Sequence, residues 1–506
     1  MFGFLIFGVT IFVLLYLLSN YTYWKRRGVL HETPLPLLGN FKGVGRKQAI
    51  YDVTERIYKK FKNVAPFAGV YMFLTPALLI FDLNLVKYIL IKDFNNFHDR
   101  SVFNNVKDDP LTGHLFALEG DQWKAMRTKL SPVFTSARMK FMFPTILKVG
   151  QQFTEALTDI FKSSSDQVLE IKDLCARFST DVIGNCVFGV ECNSCKDPQS
   201  EFRVMGRSIF NEPRHHPIIQ AFMATNPKLA QNLRMKFIPD KISAFILNLM
   251  RQSIDYRMKN KIKRNDFVQL LMELRNETEY EEQNEKLEKI DLSLGLTLEQ
   301  MAAQAFVFFI AGFETSSATM SFCLYELAKH LDIQTKLRLQ IENVIEQHNN
   351  ELTYEALNSM PYMDQVIAET LRLYPFVPNL IRKCCQSYQV PNTTLVIEKG
   401  ATILLPVRAI HHDAEFYEEP EKFKPERFEA SEIENRHPCA YLPFGDGPRN
   451  CIGMRFGKMQ TKIGLIAFLR KYSVDLCDKT EIPLELDHKK FTVSPKNGIY
   501  LKINEV

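Results

Sequence analysis

The stretch FGDGPRNCIG (residues 444–453) places a single cysteine among three glycines, an arginine and a phenylalanine. An apolar run with helical spacing follows, which predicts a helix over 452–470 with Cys451 at its N-terminus. At that position the helix dipole and free N–H groups favour a thiolate. Glycines on both sides let the backbone turn sharply and approach a flat ligand closely. This neighbourhood indicates a cysteine that binds a ligand rather than one that only packs in a core.

The residue types of this stretch suit a haem site. A thiolate held beneath a planar macrocycle is the ligation that lets haem iron cleave dioxygen. Arg449, two residues before Cys451, can bind a propionate through two hydrogen bonds.

The composition is that of a globular protein: 506 residues, 46% of them hydrophobic and 24% charged, with a net charge of +5. Basic and acidic residues are interspersed, which argues against a nucleic-acid partner. No internal repeat or long linker follows the first fifty residues, so we expect a single large domain. Ten cysteines without a regular pairing pattern indicate reduced thiols that face the cytosol.

The N-terminus predicts a membrane anchor. Residues 2–18 (FGFLIFGVTIFVLLYLL) are uncharged and apolar, and the basic triplet 25–27 follows them. Positive charge after the apolar run predicts a lumenal N-terminus and a cytosolic remainder. The prolines of 31–40 predict a stiff, extended strap. The expected organisation is an anchor over 1–24, a basic stop-transfer segment and strap over 25–45, and a catalytic domain over 46–506.

The periodicity along the rest of the chain predicts a mainly α-helical fold with small β-sheets. We expect a helix over 46–62, two short strands within 70–82 around Thr75-Pro76, and a long buried helix over 296–331. Thr297 and Gln300 suit a capping box at the start of that helix. The polar segment 275–289 is predicted to be a solvated surface loop.

The long helix contains AGFETS (311–316), which has two interpretations. Gly312 weakens a helix interior and neighbouring hydroxyls bond back to the previous turn, so a bulge or kink is expected. A buried acid beside a hydroxyl, Glu314 with Thr315, could relay protons into a dry cavity. The alternative is a kinked core helix with no chemical role, and this stretch alone does not choose between the two.

Two further pairs are weak signals when taken singly. Glu369 and Arg372 lie on one helix face in an apolar setting, which indicates a buried ion pair with Arg427 as a third member, although a surface pair is the simpler alternative. Trp123 and Arg127 project together and suit an anionic ligand, although an exposed cation stacked on an indole is the alternative.

Together these motifs resemble those of cytochrome P-450 haem-thiolate monooxygenases over essentially the whole chain. They occur in that family's order: WxxxR at 123–127, (A/G)Gx(E/D)T at 311–315, ExxR at 369–372, PERF at 425–428 and FxxGxRxCxG at 444–453. The stretches FHDRSVF, LSPVFTSARMK and FGVECNS are similar to insect microsomal members that metabolise drugs and insecticides.

The resemblance assigns a role to each motif residue. Cys451 would be the axial ligand of the iron in haem b (iron protoporphyrin), with Phe444 against the thiolate side of the ring. Thr315 and Glu314 would guide protons to bound dioxygen. The residues expected to hold the haem propionates are Arg100, Trp123, Arg127, Arg382 and Arg449. The residues expected to form a structural triad are Glu369, Arg372 and Arg427.

The implied reaction inserts one atom of dioxygen into a lipophilic substrate, a xenobiotic or an endogenous hormone, steroid or terpenoid, at the endoplasmic reticulum membrane. No dinucleotide-binding fingerprint stands out, so electrons from NADPH are expected through a separate NADPH–cytochrome P-450 reductase, with cytochrome b5 as a second donor. Basic residues suited to an acidic partner are Lys124, Lys129, Arg455 and Lys458. The segments expected to contact substrate are 101–118, Phe306 to Phe309, 376–380 and 493–498.

Other functions remain open on the sequence. A haem-thiolate isomerase or dehydratase would use a preformed peroxide, and Glu314 with Thr315 argues against it. A membrane-tethered haem carrier or gas sensor would leave that pair without a purpose. In a haem-free receptor all five motifs would be structural.

Overall fold

The structure is a computed structural model that describes residue 4 and residues 19–163, 166–281 and 295–506. Apart from Phe4, the predicted membrane-spanning run 2–18 lies outside the described residues. Among the described residues, one helix is long and apolar enough to cross a membrane, Leu298–Lys329. Because 67% of its most apolar window is buried inside the protein, this helix has the character of a core helix.

The described chain is mainly α-helical, as the periodicity predicts. Its α-helices are α1 (Tyr23–Arg26), α2 (Ile50–Phe61), α3 (Leu83–Lys87), α4 (Gly120–Leu130), α5 (Ser136–Ser163), α6 (Ile171–Ile183), α7 (Glu201–Asn211), α8 (Pro217–Thr225), α9 (Pro227–Asn232), α10 (Asp240–Asn260), α11 (Phe267–Glu281), α12 (Leu298–Lys329), α13 (Leu331–Gln347), α14 (Tyr354–Asn358), α15 (Pro361–Leu373), α16 (Val407–His411), α17 (Ala430–Asn435) and α18 (Met454–Leu469). Two π-helical turns are Tyr88–Lys92 and Gly184–Phe188. Short 3-10 turns are Phe94–Asn96, Pro110–Thr112, Ser131–Phe134, Pro425–Phe428 and Pro438–Ala440.

The strands form three small sheets. They are β1 (Phe67–Met72), β2 (Thr75–Ile80), β3 (Val168–Glu170), β4 (Leu380–Lys383), β5 (Tyr388–Gln389), β6 (Val396–Ile397), β7 (Thr402–Leu405), β8 (Tyr472–Asp475) and β9 (Tyr500–Glu505). The strand orders are β1-β2-β7-β4, β3-β9-β8 and β5-β6. Strand β7 runs parallel to β2 and antiparallel to β4.

The chain divides into two compact units, each assembled from distant segments. The first unit comprises Met1–Ser101, Ala368–Cys451 and Leu484–Asn497. The second unit comprises Val102–Ile367, Ile452–Pro483 and Gly498–Val506. The domain boundaries expected at 24/25 and 45/46 stay a prediction.

The first unit has its core on the four-stranded sheet, where Val70, Leu78 and Leu404 are fully buried. The hairpin differs from expectation, because Phe73 with a φ of 56° forms the turn while Thr75 and Pro76 begin β2. Pro76 is tolerated there because it pairs only with Tyr71 of β1, and the pairing of β2 with β7 starts one residue later.

The second unit is built around α12. The predicted capping box is confirmed: the Gln300 N–H donates to Thr297 Oγ1 (3.2 Å) and the Thr297 N–H donates to Gln300 Oε1 (3.0 Å). Helix α12 is continuous through Gly312, so the expected bulge is absent, and the expected kink stays a prediction. A Cβ at Gly312 would lie 2.3 Å from Ile183 Cδ1, so this glycine allows α6 to pack closely against α12.

The prediction of a surface loop over 275–289 is wrong for its first part. Residues 275–281 continue α11, and 282–294 lie outside the described residues. The segment RNETEYE extends a helix whose first turns, at Phe267 and Leu271, are anchored in the core, and four of its seven residues are Arg or Glu. Arg and Glu have high helix propensity, so a polar composition does not end the helix.

Candidate active site

The cysteine loop (residues 444–451) is folded back on itself by backbone hydrogen bonds. The Cys451 N–H donates to the Phe444 carbonyl (2.9 Å), and the Asn450 N–H donates to the Gly447 carbonyl (3.0 Å). Gly445 and Gly447 both have positive φ, 66° and 70°. A Cβ at Gly447 would lie 1.8 Å from the Leu90 carbonyl oxygen, so no other residue fits without moving the backbone.

This loop leaves the Cys451 side chain exposed. All ten cysteines are in the described part of the chain and none forms a disulfide, and Cys451 is exposed whereas the other nine are buried or half-buried. The helix predicted after it is confirmed, with α18 beginning at Met454. The local fold therefore exposes one particular sulfur at the entry to a helix.

Three arginines predicted to hold propionates, Arg100, Arg382 and Arg449, lie together in the first unit. Arg449 is buried, and its Nε donates to the His98 carbonyl (2.7 Å). Arg100 donates through Nη2 to the Arg449 carbonyl (2.6 Å). Arg382 donates through Nη1 to the carbonyl of Ile381 (2.9 Å).

The positive charge of these three arginines favours the binding of an anion. Arg382 is 1% exposed, and its Nε has no hydrogen-bond partner among the described residues. Burial, reinforced by Arg100 and Arg449, holds the pKa of Arg382 well below its usual value. Buried like charges are stabilised by a carboxylate that pairs with them. The two propionates of haem are such carboxylates, so these residues fit the group that Cys451 would ligate.

The predicted triad residues are also brought together in the first unit. Arg372 makes a two-pronged ion pair with Glu369 (2.7 and 2.8 Å), and both side chains are fully buried. Arg427 Nε reaches the same carboxylate at 3.3 Å, and the Lys424 N–H donates to it at 2.9 Å. Every oxygen of the buried acid is thus partnered, which is the condition for a buried charge to be tolerated.

His411, which the sequence reasoning missed, connects this ion cluster to the cysteine loop. Its Nε2 accepts the N–H of Leu442 (2.9 Å), and its Nδ1 donates to the Arg372 carbonyl (3.2 Å). Leu442 in turn accepts the N–H of Gly445 through its carbonyl (3.0 Å). Burial, aided by the nearby His412 and Arg372 charges, holds the pKa of His411 well below its usual value. The imidazole is therefore a neutral bridge.

The second unit carries the remaining predicted residues. Trp123 and Arg127 lie four residues apart on α4, where Trp123 is buried and Arg127 is half-buried. On α12, Thr315 donates its hydroxyl proton to the Ala311 carbonyl (2.5 Å).

Glu314 has a partner that the sequence did not suggest. Its carboxylate lies 3.2 Å from the ammonium group of Lys172 on α6, and both side chains are largely buried. No sequence pattern links these residues, because their pairing depends on how α6 packs against α12. The acid of AGFETS is thus one half of an ion pair.

Comparison with known proteins agrees with this geometry, since the sequence profile of the family described as Cytochrome P450 matches residues 30–502. The chain belongs to the cytochrome P450 family. This cytochrome P450 is 54% identical over 489 residues to probable cytochrome P450 6a14 of Drosophila melanogaster, an alignment that covers 96% of each chain. It is 46% identical to cytochrome P450 6a2 of the same species, covering 98% of this chain and all of the relative.

A further relative is cytochrome P450 6A1 of Musca domestica, 43% identical over 96% of this chain and 94% of its own length. The resemblance to insect members is therefore confirmed. As a member of the family, this P450 is a haem-binding monooxygenase with a mainly helical fold and small sheets.

Proposed function

We propose that this P450 oxygenates lipophilic substrates at the endoplasmic reticulum membrane with electrons that a separate NADPH–cytochrome P450 reductase supplies. The proposal rests on the exposed Cys451, which lies in a loop that requires glycine at position 447. Three clustered arginines belong to the same unit. Bound haem supplies the activation of dioxygen. Cys451 would hold its iron, and the propionates would be bound by Arg100, Arg382 and Arg449, together with Trp123 and Arg127.

The chain's own part in proton delivery lies on α12. Because the Thr315 hydroxyl gives its proton to the Ala311 carbonyl, its oxygen lone pairs are oriented to accept a hydrogen bond. The neighbouring Glu314 carboxylate holds Lys172 as a charged donor at 3.2 Å. We propose that Lys172 and Glu314 relay protons towards Thr315.

An apolar substrate fits the predicted contact segments. In the second unit, buried Gln304 ties the 101–118 loop to α12: its Oε1 accepts the Leu115 N–H (2.9 Å), and its Nε2 donates to the Gly113 carbonyl (3.1 Å). Phe306, two residues further along α12, lies with its ring centre 6.4 Å from that of His114 in the loop. An apolar surface discriminates weakly among apolar substrates, since one methylene changes the binding free energy by about 1–3 kcal/mol.

The second pair of predicted substrate segments meets in the first unit, where the Val493 N–H donates to the Phe376 carbonyl (3.2 Å). Four separate stretches of sequence thus form two local groups, one in each unit. This arrangement supports their assignment to substrate binding.

The proposed reductase contact is a basic surface of the second unit. Lys124 on α4 and Arg455 and Lys458 on α18 are exposed, and Lys129 is half-exposed. The start of α18 lies beside the turn that follows α4, because Arg455 Nη1 donates to the Phe134 carbonyl (3.5 Å). An acidic flavoprotein, or cytochrome b5, would be attracted to this surface.

Membrane attachment is supported by the apolar run and the basic triplet that follows it. The relatives align with this chain over nearly their whole length. The proposed topology leaves the catalytic part in the cytosol, where a reductase on the same membrane can reach it.

The first experiment is the absorption spectrum of the reduced, carbon-monoxide-bound protein. Thiolate ligation is expected to give a strongly red-shifted Soret band that Cys451→Ser abolishes and the control Cys477→Ser retains. Membranes that contain the protein and reductase should then consume oxygen in an NADPH-dependent manner. Absence of the red-shifted band would refute the haem-thiolate assignment. A red-shifted band without oxygen consumption would favour the isomerase or the haem carrier.

The electron-transfer contact has a test of its own. Charge reversal at Lys124 and Lys458 should slow haem reduction by the reductase and flatten its salt dependence, without altering the carbon monoxide spectrum. Unchanged rates at low and high salt would rule out this docking surface.

A further inference from the structure

A second sulfur site lies in the first unit, away from the Cys451 thiol in the sequence and distinct in its ligands. His98, Asp99 and Cys385 place one nitrogen, one carboxylate and one sulfur within 4.8 Å of one another. The His98 Nδ1 to Asp99 Oδ1 distance is 2.7 Å, and Cys385 Sγ lies 3.7 Å from His98 Nδ1 and 3.5 Å from Asp99 Oδ2. We call these three residues the HDC cluster.

The backbone holds the three side chains in place. Asp99 and Lys383 form an antiparallel bridge in which the Lys383 N–H donates to the Asp99 carbonyl (2.9 Å). The Cys385 N–H donates to the Asn96 carbonyl (2.7 Å). These backbone hydrogen bonds therefore join two chain segments that are nearly three hundred residues apart in sequence.

The arrangement does not suit nucleophilic catalysis. In a cysteine–histidine–acid relay the thiol and the acid contact opposite nitrogens of the imidazole. Here Cys385 Sγ and Asp99 Oδ1 both face Nδ1 of His98. Burial also raises the pKa of the Cys385 thiol to about 11, so the free sulfur is not an activated nucleophile.

The two distances from the Cys385 sulfur do suit a tetrahedral cation. Zinc bonds of about 2.3 Å to sulfur and about 2.0–2.2 Å to nitrogen or oxygen separate sulfur from nitrogen or oxygen by about 3.6 Å at the tetrahedral angle. The observed separations from Cys385 Sγ are 3.7 and 3.5 Å. The carboxylate can ligate through Oδ2, while Oδ1 stays directed towards Arg449, whose Nη2 is 3.7 Å away.

We propose that the HDC cluster binds one soft divalent cation of the zinc class through His98 Nδ1, Asp99 Oδ2 and Cys385 Sγ, with water as the fourth ligand. Binding displaces the thiol proton of Cys385 to solvent and moves the imidazole proton of His98 to Nε2, so affinity rises with pH. One sulfur, one nitrogen and one oxygen donor favour zinc or cadmium over calcium or magnesium. Because Asp99 also faces Arg449, a cation bound to Asp99 would change the electrostatic environment of a residue that we assign to a haem propionate.

Haem-loaded full-length protein, freed of adventitious metal by chelator and dialysis, is titrated with Zn²⁺. Bound metal is measured by mass spectrometry, and Cd²⁺ is used in parallel because a Cd–thiolate bond has its own ultraviolet absorption. We expect one cation per chain and a rise in the melting temperature. Cys385→Ser should remove the cadmium–sulfur absorption, and His98→Gln should weaken binding by at least about tenfold.

Cys477→Ser is the matched control, since that half-buried thiol contacts Thr480 and no histidine or acid is among its hydrogen-bond partners in the described chain. The carbon monoxide spectrum is recorded for every sample to show that Cys451 still ligates iron. Stoichiometric binding lost only in the cluster variants supports the site. No bound cation, or equal binding in Cys385→Ser, overturns it, whatever the outcome for the monooxygenase itself.

Discussion

The neutral bridge made by His411 leads to a sharp prediction for the stability of the cysteine loop. The Leu442 N–H can only donate, so Nε2 of His411 must carry a lone pair and Nδ1 must carry the proton that goes to the Arg372 carbonyl. A second proton on Nε2 would face the N–H of Leu442. Only one of the two neutral tautomers satisfies both contacts.

Two substitutions measure the value of this bridge. His411→Ala leaves two buried backbone groups without partners, each costing about 1–3 kcal/mol, so we expect a loss of about 2–6 kcal/mol. That is a large share of the about 5–15 kcal/mol that stabilises a typical protein. His411→Gln can still accept from Leu442 or donate to Arg372, so a smaller loss, about half, is expected.

The pH dependence follows from the lowered pKa of His411. In the unfolded chain the imidazole has a pKa of about 6.5, so below that pH the unfolded state binds more protons than the folded state. The contribution of His411 to stability is therefore complete above about pH 6.5 and decreases by up to about 1.4 kcal/mol per pH unit on acidification. Burial also lowers the pKa of His437, which adds in the same direction.

The assay is equilibrium denaturation from pH 7.5 to 5, followed by circular dichroism and by the thiolate-specific carbon monoxide band. The difference between wild type and His411→Gln isolates His411, because His437 is present in both. A slope that is identical in the two proteins, or a His411→Ala variant as stable as wild type, would refute the neutral bridge.

Three other perturbations test the remaining geometry. Glu369→Ala leaves buried arginines without their carboxylate, so the free energy of unfolding should fall by about 3–5 kcal/mol. Most of the bound haem should also be lost, as measured by haem content after purification, and full haem occupancy would contradict this. Gly447→Ala should prevent a thiolate signature, because its Cβ would lie 1.8 Å from a carbonyl oxygen, whereas Gly400→Ala, with a φ of 92° and no atom within 4 Å, should keep it. Lys172→Met removes the partner of Glu314 and should lower product formed per NADPH by about tenfold at unchanged haem content, with Lys172→Arg largely restoring it; equal coupling in both variants would remove Lys172 from the proton relay.

Local patterns in the sequence were sufficient for features whose cause is local. The capping box at Thr297 and the helix after Cys451 depend on residues within a few positions of one another, and both are as predicted. Where the local pattern was ambiguous, the sequence did not choose between the alternatives. Gly312 predicts a bulge or a kink, whereas α12 has no bulge there and α6 packs closely against the glycine.

Pairs that join distant segments were beyond the sequence. Glu314 with Lys172, His411 with Leu442, and His98 with Cys385 are each formed by residues whose separation along the chain carries no period. Burial changes the pKa of His411 and Cys385 only after the chain has folded, so no composition or spacing could indicate those shifts.

The sequence by itself predicted that Cys451 is a ligand, since a cysteine among glycines and close to an arginine has few other uses, and it determined the family through motifs in fixed order. Only the tertiary structure decided which charges are paired, which histidine stays neutral and where a second sulfur meets nitrogen and carboxylate. The physical reason is range: hydrogen-bonded turns and helix caps are set by neighbours in the chain, whereas desolvation and ion pairing are set by neighbours in space.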